Sequence, residues 1–219
     1  MAGKFVVFDG PDGSGKSTQF ARFSSYCTEQ NLALCEVREP GSTNIGEQIR
    51  SVLLDPANTD MTLRSEMLLY MASRAQLVEQ IIRPALERNE LVLADRFVSS
   101  TLAYQGTAGG LDHDEILSAA KVAIGNTCPD LTVVFDVDEK TAATRLAGKS
   151  KHSKHDHPMQ PTLFSDRVEL RGSVYQKRVR QGYLDQAKDQ PSKYIVLDAT
   201  EDPDAVFNDL INQLKQHFG

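Results

Sequence analysis

The sequence predicts an α/β fold: a five-stranded parallel sheet with helices on both faces. Three observations carry this. Short apolar runs alternate with helix-forming segments along the whole chain. The first run leads directly into a glycine-rich loop and then a helix. Polar clusters follow several of the apolar runs, as ligand-binding loops do at the carboxyl ends of parallel strands.

Phe5 to Phe8 reads as the first strand, buried on both faces. Gly10-Pro11-Asp12-Gly13-Ser14-Gly15-Lys16-Ser17, followed by Thr18, fits G-x-x-x-x-G-K-[ST]. Glycines let such a loop curl until its N–H groups converge, and the N-terminus of the next helix (Gln19 to Gln30) adds positive potential. Lys16 then reaches the terminal phosphates of a nucleotide, and the Ser17 hydroxyl ligates Mg²⁺.

Ala33 to Val37 is the second strand, stopped by the polar loop Arg38 to Thr43, and Ile45 to Leu54 is helical. Thr62 to Arg88 has one long helical pattern, with Pro84 placed to kink its end. Leu91 to Ala94 is the third strand, ending at Asp95-Arg96, and Thr101 to Gln105 opens a further helix. Asp112 caps a helix to Ile124, Leu131 to Phe135 is the fourth strand, and Glu139 to Ala147 is helical. Gly148 to Ser165 is polar, without periodicity, and reads as a mobile loop. Asp166 to Lys188 is a long polar helix, Tyr194 to Leu197 the fifth strand, and Pro203 to His217 the closing helix. Nothing in the chain reads as a linker or a repeat. The expectation is one domain over 1–219 with an inserted lid at about 146–166.

Composition narrows the class. The 219 residues are 40% hydrophobic and 25% charged, as in ordinary globular proteins. A net charge of -6 argues against a partner that is a nucleic acid polymer. No apolar run has the length of a membrane span, and the first strand leaves no room for a signal peptide. Cys27, Cys35 and Cys128 have no metal-binding spacing and read as reduced thiols, which suits the cytoplasm.

Beyond the phosphate loop, Asp95 at a strand end suits Mg²⁺, held directly or through water, and Arg96 suits anionic oxygens of donor and acceptor. Tyr70 and Arg74 share a helical face, a ring and a fork of donors suited to a nucleobase. Spacing alone favours a core tyrosine beside a solvated arginine. Thr101, Tyr104 and Gln105 share another face, with Ser100 adding a hydroxyl; a helix start with capping hydroxyls fits them equally well. Arg145, Lys149, Lys151, Lys154 and Arg167 are lid cations suited to closing over transferring phosphates. His152, His155 and His157 fit no zinc pattern.

Assembled, these residues resemble the thymidylate kinase family. The match runs in family order from Phe8–Thr18 through Arg38-Glu39-Pro40-Gly41-Ser42-Thr43 and Gly46–Arg50 to Ser73-Arg74-Ala75-Gln76. It continues through Asp95–Gly106, Pro129–Thr132 and Asp166–Glu169, and ends at Arg178–Leu184. Gly13 in the phosphate loop, where another type carries arginine, resembles the bacterial type with its basic residues in the lid.

The resemblance implies the P-loop nucleoside-monophosphate-kinase fold, a homodimer, and transfer of the ATP γ-phosphate to dTMP with Mg²⁺. It implies that Gly10 to Thr18 bind ATP, with Ser17 and Asp95 at the metal, and that Lys16, Arg96, Asp12 and Arg145 serve catalysis. For dTMP it implies Asp12 at the 3′-hydroxyl or metal shell, Arg50 and Arg96 at the phosphate, and Tyr70 stacked on thymine. Arg74, Thr101 and Gln105 would bond the base, Tyr104 would crowd the 2′ position, and Glu39 and Ser100 complete the set. Phe97, Ser42 and a long lid rich in lysine depart from the family pattern. A kinase of the same fold acting on dUMP or a deoxynucleoside is the near alternative. A GTP-dependent switch would need an Asn-Lys-x-Asp element, which the sequence lacks.

Overall fold

The structure is a computed structural model that describes residues 1–152 and 172–219, with side chains from 149 to 152 also outside the description. Its five strands are β1 (Phe5–Asp9), β2 (Leu34–Arg38), β3 (Leu91–Asp95), β4 (Leu131–Asp136) and β5 (Tyr194–Asp198). They form one parallel sheet in the order β2-β3-β1-β4-β5. The central strands are buried throughout most of their length, as their unbroken apolar runs require. The outer strands β2 and β5 are only partly buried, because each has one neighbour.

Alternate residues of β1 feed two cores. Phe5 and Val7 join Val92 and Ala94 against α3 (Leu63–Leu77) and α6 (His113–Ile124). Val6 and Phe8 join Leu93, Val133 and Phe135 against α1 (Lys16–Glu29) and α9 (Pro203–Phe218). Caps fall where the chemistry predicts. Asp112 accepts from the N–H groups of Asp114 and Glu115, Asp202 from Asp204, and Thr43 opens α2 (Asn44–Leu54) by accepting from Gly46.

The single helix expected over 62–88 is three pieces: α3, a π-helical turn Val78–Ile82, and α4 (Arg83–Glu87). Pro84 has no N–H to give the ladder, and the turn before it widens. A second wide stretch, Leu102–Ala108, follows the short α5 (Val98–Thr101). The helix expected to stop at Ala147 runs on as α7 (Glu139–His152), so the first residues of the expected loop are helical. The rest of that segment, with Lys154, His155 and His157, lies outside the described residues, as do the start of the expected helix Asp166–Lys188 with Arg167, and the side chains of Lys149, Lys151 and His152. The next described helix is α8 (Gly172–Asp189). Its Gly182 lies where a Cβ would meet Thr107 Oγ1 at 2.8 Å and the Ala103 Cα at 3.1 Å, so only glycine lets α8 come this close to the wide stretch. Among the described residues, no helix is long and apolar enough to cross a membrane.

Candidate active site

The parallel register brings the carboxyl ends of β1, β2 and β3 together, with Phe8 level with Asp95 and Arg38 level with Asp95. The glycine-rich loop leaves β1 here and turns into α1. Gly13 takes a left-handed φ of 79° and approaches α7 so closely that a Cβ would lie 2.6 Å from the Ala142 carbonyl oxygen. That contact and the left-handed φ give a physical reason for glycine at this position. Gly15, at φ 86°, is the last residue before the helix begins at Lys16.

Lys16 is buried and its Nζ donates to Asp95 Oδ1. Burial works against the Asp95 charge, but Lys16 and Arg96 outweigh it and hold the carboxyl below its ordinary range. The phosphate loop and the Asp95-Arg96 step therefore meet directly. Ser17 and Thr18 are exposed one position further along α1.

Arg96 takes a left-handed φ of 71°, rare for a residue with a side chain. Its guanidinium donates to Asp12 Oδ1 at 2.6 Å, Ser100 Oγ and Tyr183 Oη at 3.1 Å, the Gly10 carbonyl at 3.3 Å and Asp9 Oδ1 at 3.4 Å. Its carbon lies 5.1 Å from the centre of the Tyr104 ring. Burial opposes its charge, yet the oxygens of Tyr104, Asp12, Tyr183 and Asp9 raise its pKa well above the ordinary arginine value. Tyr104 Oη in turn donates to Asp12 Oδ2 at 2.9 Å. Burial keeps that phenol well above its ordinary pKa, with Arg96 opposing.

Beneath this arginine is a hub the sequence reading did not single out. Asp9 is fully buried and accepts from Ser99 Oγ (2.6 Å), Ser100 Oγ (2.7 Å), Tyr183 Oη (2.5 Å) and the Gly10 N–H (3.0 Å). Burial, then the Asp9 charge, pushes the Tyr183 phenol well above its ordinary pKa. A carboxylate closing an otherwise apolar strand was the signal for Asp9. For Tyr183 the signal was weaker: an aromatic beside a glycine on a polar helix.

A second wall is built by α3 and α5. Arg74 is 1% exposed and forks onto Glu39, with Nε at 3.0 and 2.8 Å from its two oxygens and one terminal nitrogen at 2.5 Å. The same nitrogen donates to Thr101 Oγ1 at 3.2 Å, and the guanidinium carbon lies 5.2 Å from the Phe97 ring centre. Spacing alone favoured a solvated arginine; the structure buries it instead, because Glu39 at the end of the second strand supplies the counter-charge. Burial pushes the Glu39 carboxyl up while Arg74 opposes it. Tyr70 is half-buried on the same α3 face, and Gln105 is buried one turn beyond Thr101. Arg50 donates to the Pro40 carbonyl at 2.9 Å, beside the same loop.

Arg145 lies on the outer side of the phosphate loop. It donates to the carbonyls of Ala199 at 2.7 Å and of Ser14 and Thr200 at 3.4 Å. With Gly13, Gly15, Thr18 and Gln19 it lines a cavity of about 440 Å³ that opens beside the loop. Among the described residues, no group of three or more His, Cys, Asp and Glu is placed to hold a metal.

The family model described as "Thymidylate kinase" matches residues 8–210. The chain is 41% identical over 206 residues to a thymidylate kinase of Symbiobacterium thermophilum, covering 94% of this chain and 90% of that protein. It is 41% identical over 202 residues to one from Deinococcus radiodurans, covering 92% and 91%. A crystal structure of thymidylate kinase from Ehrlichia chaffeensis superposes with a TM-score of 0.72 at 30% identity, covering 97% of this chain and 98% of that one. The matched stretch takes in the phosphate loop, the Asp95-Arg96 step, both walls of the cleft and the helix that carries Tyr183, and the chain belongs to the thymidylate kinase family.

Proposed function

We propose that the chain transfers the γ-phosphate of ATP to the phosphate of dTMP, giving dTDP for dTTP synthesis, and that its sites divide as the cleft does. The observation that carries the reading is the direct meeting of Lys16 with Asp95 beside an Arg96 already bonded to Asp12. The nucleophile is a phosphate oxygen, largely ionised near neutral pH because a monoester's second pKa is about 6. No general base is required, so catalysis reduces to holding two anions in line and neutralising charge between them.

Gly10 to Thr18 cradle the ATP phosphates, and Lys16 leaves Asp95 for their oxygens. The donor set fits Mg²⁺: an exposed hydroxyl on Ser17 and a carboxylate on Asp95 that Lys16 and Arg96 keep ionised. Mg²⁺ held there supplies charge neutralisation at the transferring phosphate. Arg96, braced from below by Asp9 and Tyr183, and Arg50 take the dTMP phosphate. Asp12 takes the 3′-hydroxyl side of the sugar and Tyr104 crowds its 2′ position. Ser100 holds Arg96, and Glu39 aligns Arg74. Tyr70 stacks on thymine, with Arg74, Thr101 and Gln105 on its polar edge. Arg145, bonded to carbonyls beside the donor cavity, acts as a wall for ATP.

The chain is read as one domain with a lid at about 146–166, in the cytoplasm, where three free cysteines are at home. A homodimer is supported by exposed Ile45, Val52, Leu68, Leu117 and Val122 on α2, α3 and α6. The test is ADP formation from ATP and Mg²⁺ against dTMP, dUMP, dCMP, dGMP and UMP. Turnover strongest with dTMP is expected; preference for another monophosphate would overturn the substrate assignment. A methyl-sized pocket is worth about 1–3 kcal/mol, so dUMP should be a measurable but poorer acceptor.

A further inference from the structure

We propose that Glu66 is a positioning residue that fixes the Gln105 amide with its oxygen toward the nucleobase, and so selects a base with a ring N–H. The inference rests on the cleft reading above and adds to it a residue that touches no substrate.

Glu66, Tyr70 and Arg74 stand four apart in turn on α3 and so share one face. Thr101 and Gln105 stand four apart on the facing helix. Two rungs join them. Arg74 donates to Thr101 Oγ1 at 3.2 Å, and Gln105 Nε2 donates to Glu66 Oε1 at 2.7 Å. The numbers rise along one helix as they fall along the other, so the two run antiparallel with Tyr70 between the rungs. Glu66 is 0% exposed and Gln105 is 2% exposed.

A carboxylate only accepts hydrogen bonds. Turning the Gln105 amide over would set two oxygens against each other in a dry site, so Glu66 decides which end of the amide is committed. The other end, the oxygen, accepts from none of the described residues and is not among their fully buried orphan atoms, so it keeps some exposed surface and is open to a donor on a bound ligand. Thymine and uracil carry a hydrogen on N3, whereas cytosine carries a lone pair at that position. An amide oxygen bonds the first and repels the second. Without Glu66 the amide would turn to suit either base.

The experiment compares kcat/KM for dTMP and 5-methyl-dCMP, which differ only along the N3 and C4 edge, in the unaltered chain and in Glu66→Gln. The replacement keeps the shape and lets Gln105 take either orientation. The dTMP preference is expected to fall about tenfold, the size of one ordinary hydrogen bond, mainly through a lower KM for 5-methyl-dCMP. An unmoved ratio in a folded Glu66→Gln chain overturns the proposal, since a mere tie between helices would lower stability without changing selectivity. Should that variant not fold, N3-methyl-dTMP is offered to the unaltered chain. Binding weaker than dTMP by about a hundredfold or more supports an acceptor at N3, and equal binding overturns it. Loss of dTMP turnover in the unaltered chain would instead strike the proposed function.

Discussion

Replacing Tyr183 by phenylalanine isolates the brace beneath Arg96. The ring stays and one oxygen goes. That oxygen donates to Asp9 at 2.5 Å, lies 2.8 Å from Ser100 Oγ and accepts from Arg96 at 3.1 Å. The bond to Asp9 has a charged acceptor in a fully buried setting, worth about 1.5–3 kcal/mol. Asp9 keeps Ser99, Ser100 and the Gly10 N–H, so no buried charge is stranded and the loss should sit near 2 kcal/mol. For a chain of this size that is a fall in Tm of about 4–8 °C. Arg96 keeps Asp12 at 2.6 Å, so the KM for dTMP should rise a few-fold, roughly, while kcat changes less. Thermal unfolding and steady-state kinetics on the purified variant read both. A loss below about 0.5 kcal/mol, with KM unmoved, would refute the claim that Tyr183 holds the arginine.

Lys16→Ala should abolish transfer while far-ultraviolet circular dichroism stays native; near-normal turnover would sink the phosphate-loop mechanism. Acid stability gives a separate reading of the same pair. Asp95 is held below its ordinary pKa in the fold, so its contribution is present above about pH 4 and is lost as pH falls through the folded value. Removing Lys16 should therefore move acid unfolding to higher pH, and an identical acid limb would show that the pair contributes nothing. Tyr104→Ala should admit the ribose analogue of dTMP, checked by the ratio of kcat/KM for the two sugars; an unchanged ratio would remove Tyr104 from sugar selection.

Much of the fold is written in local pattern. Apolar runs bounded by glycine, proline and acids locate all five strands, and Asp112 and Asp202 mark helix starts through the reach of a short carboxylate. The wide turns at 78–82 and 102–108 are not local in this sense. They depend on how a helix settles against the sheet once Pro84 has removed a donor, or once α8 presses on the segment through Gly182. The candidate site divides the same way. Lys16, Asp95 and Arg96 stand in contiguous motifs whose chemistry is readable from spacing. Glu39 and Arg74 are 35 positions apart, and Asp9 and Tyr183 174 apart, so their pairing exists only after folding. The same distance hid the burial of Arg74, because nothing near it in sequence neutralises its charge.

The cleft carries one phosphoryl group from ATP to the phosphate of dTMP. The direct measurement follows label from [γ-³²P]ATP in the presence of Mg²⁺ and dTMP, with the Lys16→Ala chain as control. Label appearing in dTDP with the unaltered chain, and none with the control, is the predicted result. Label released as inorganic phosphate at the same rate with and without dTMP would contradict the account.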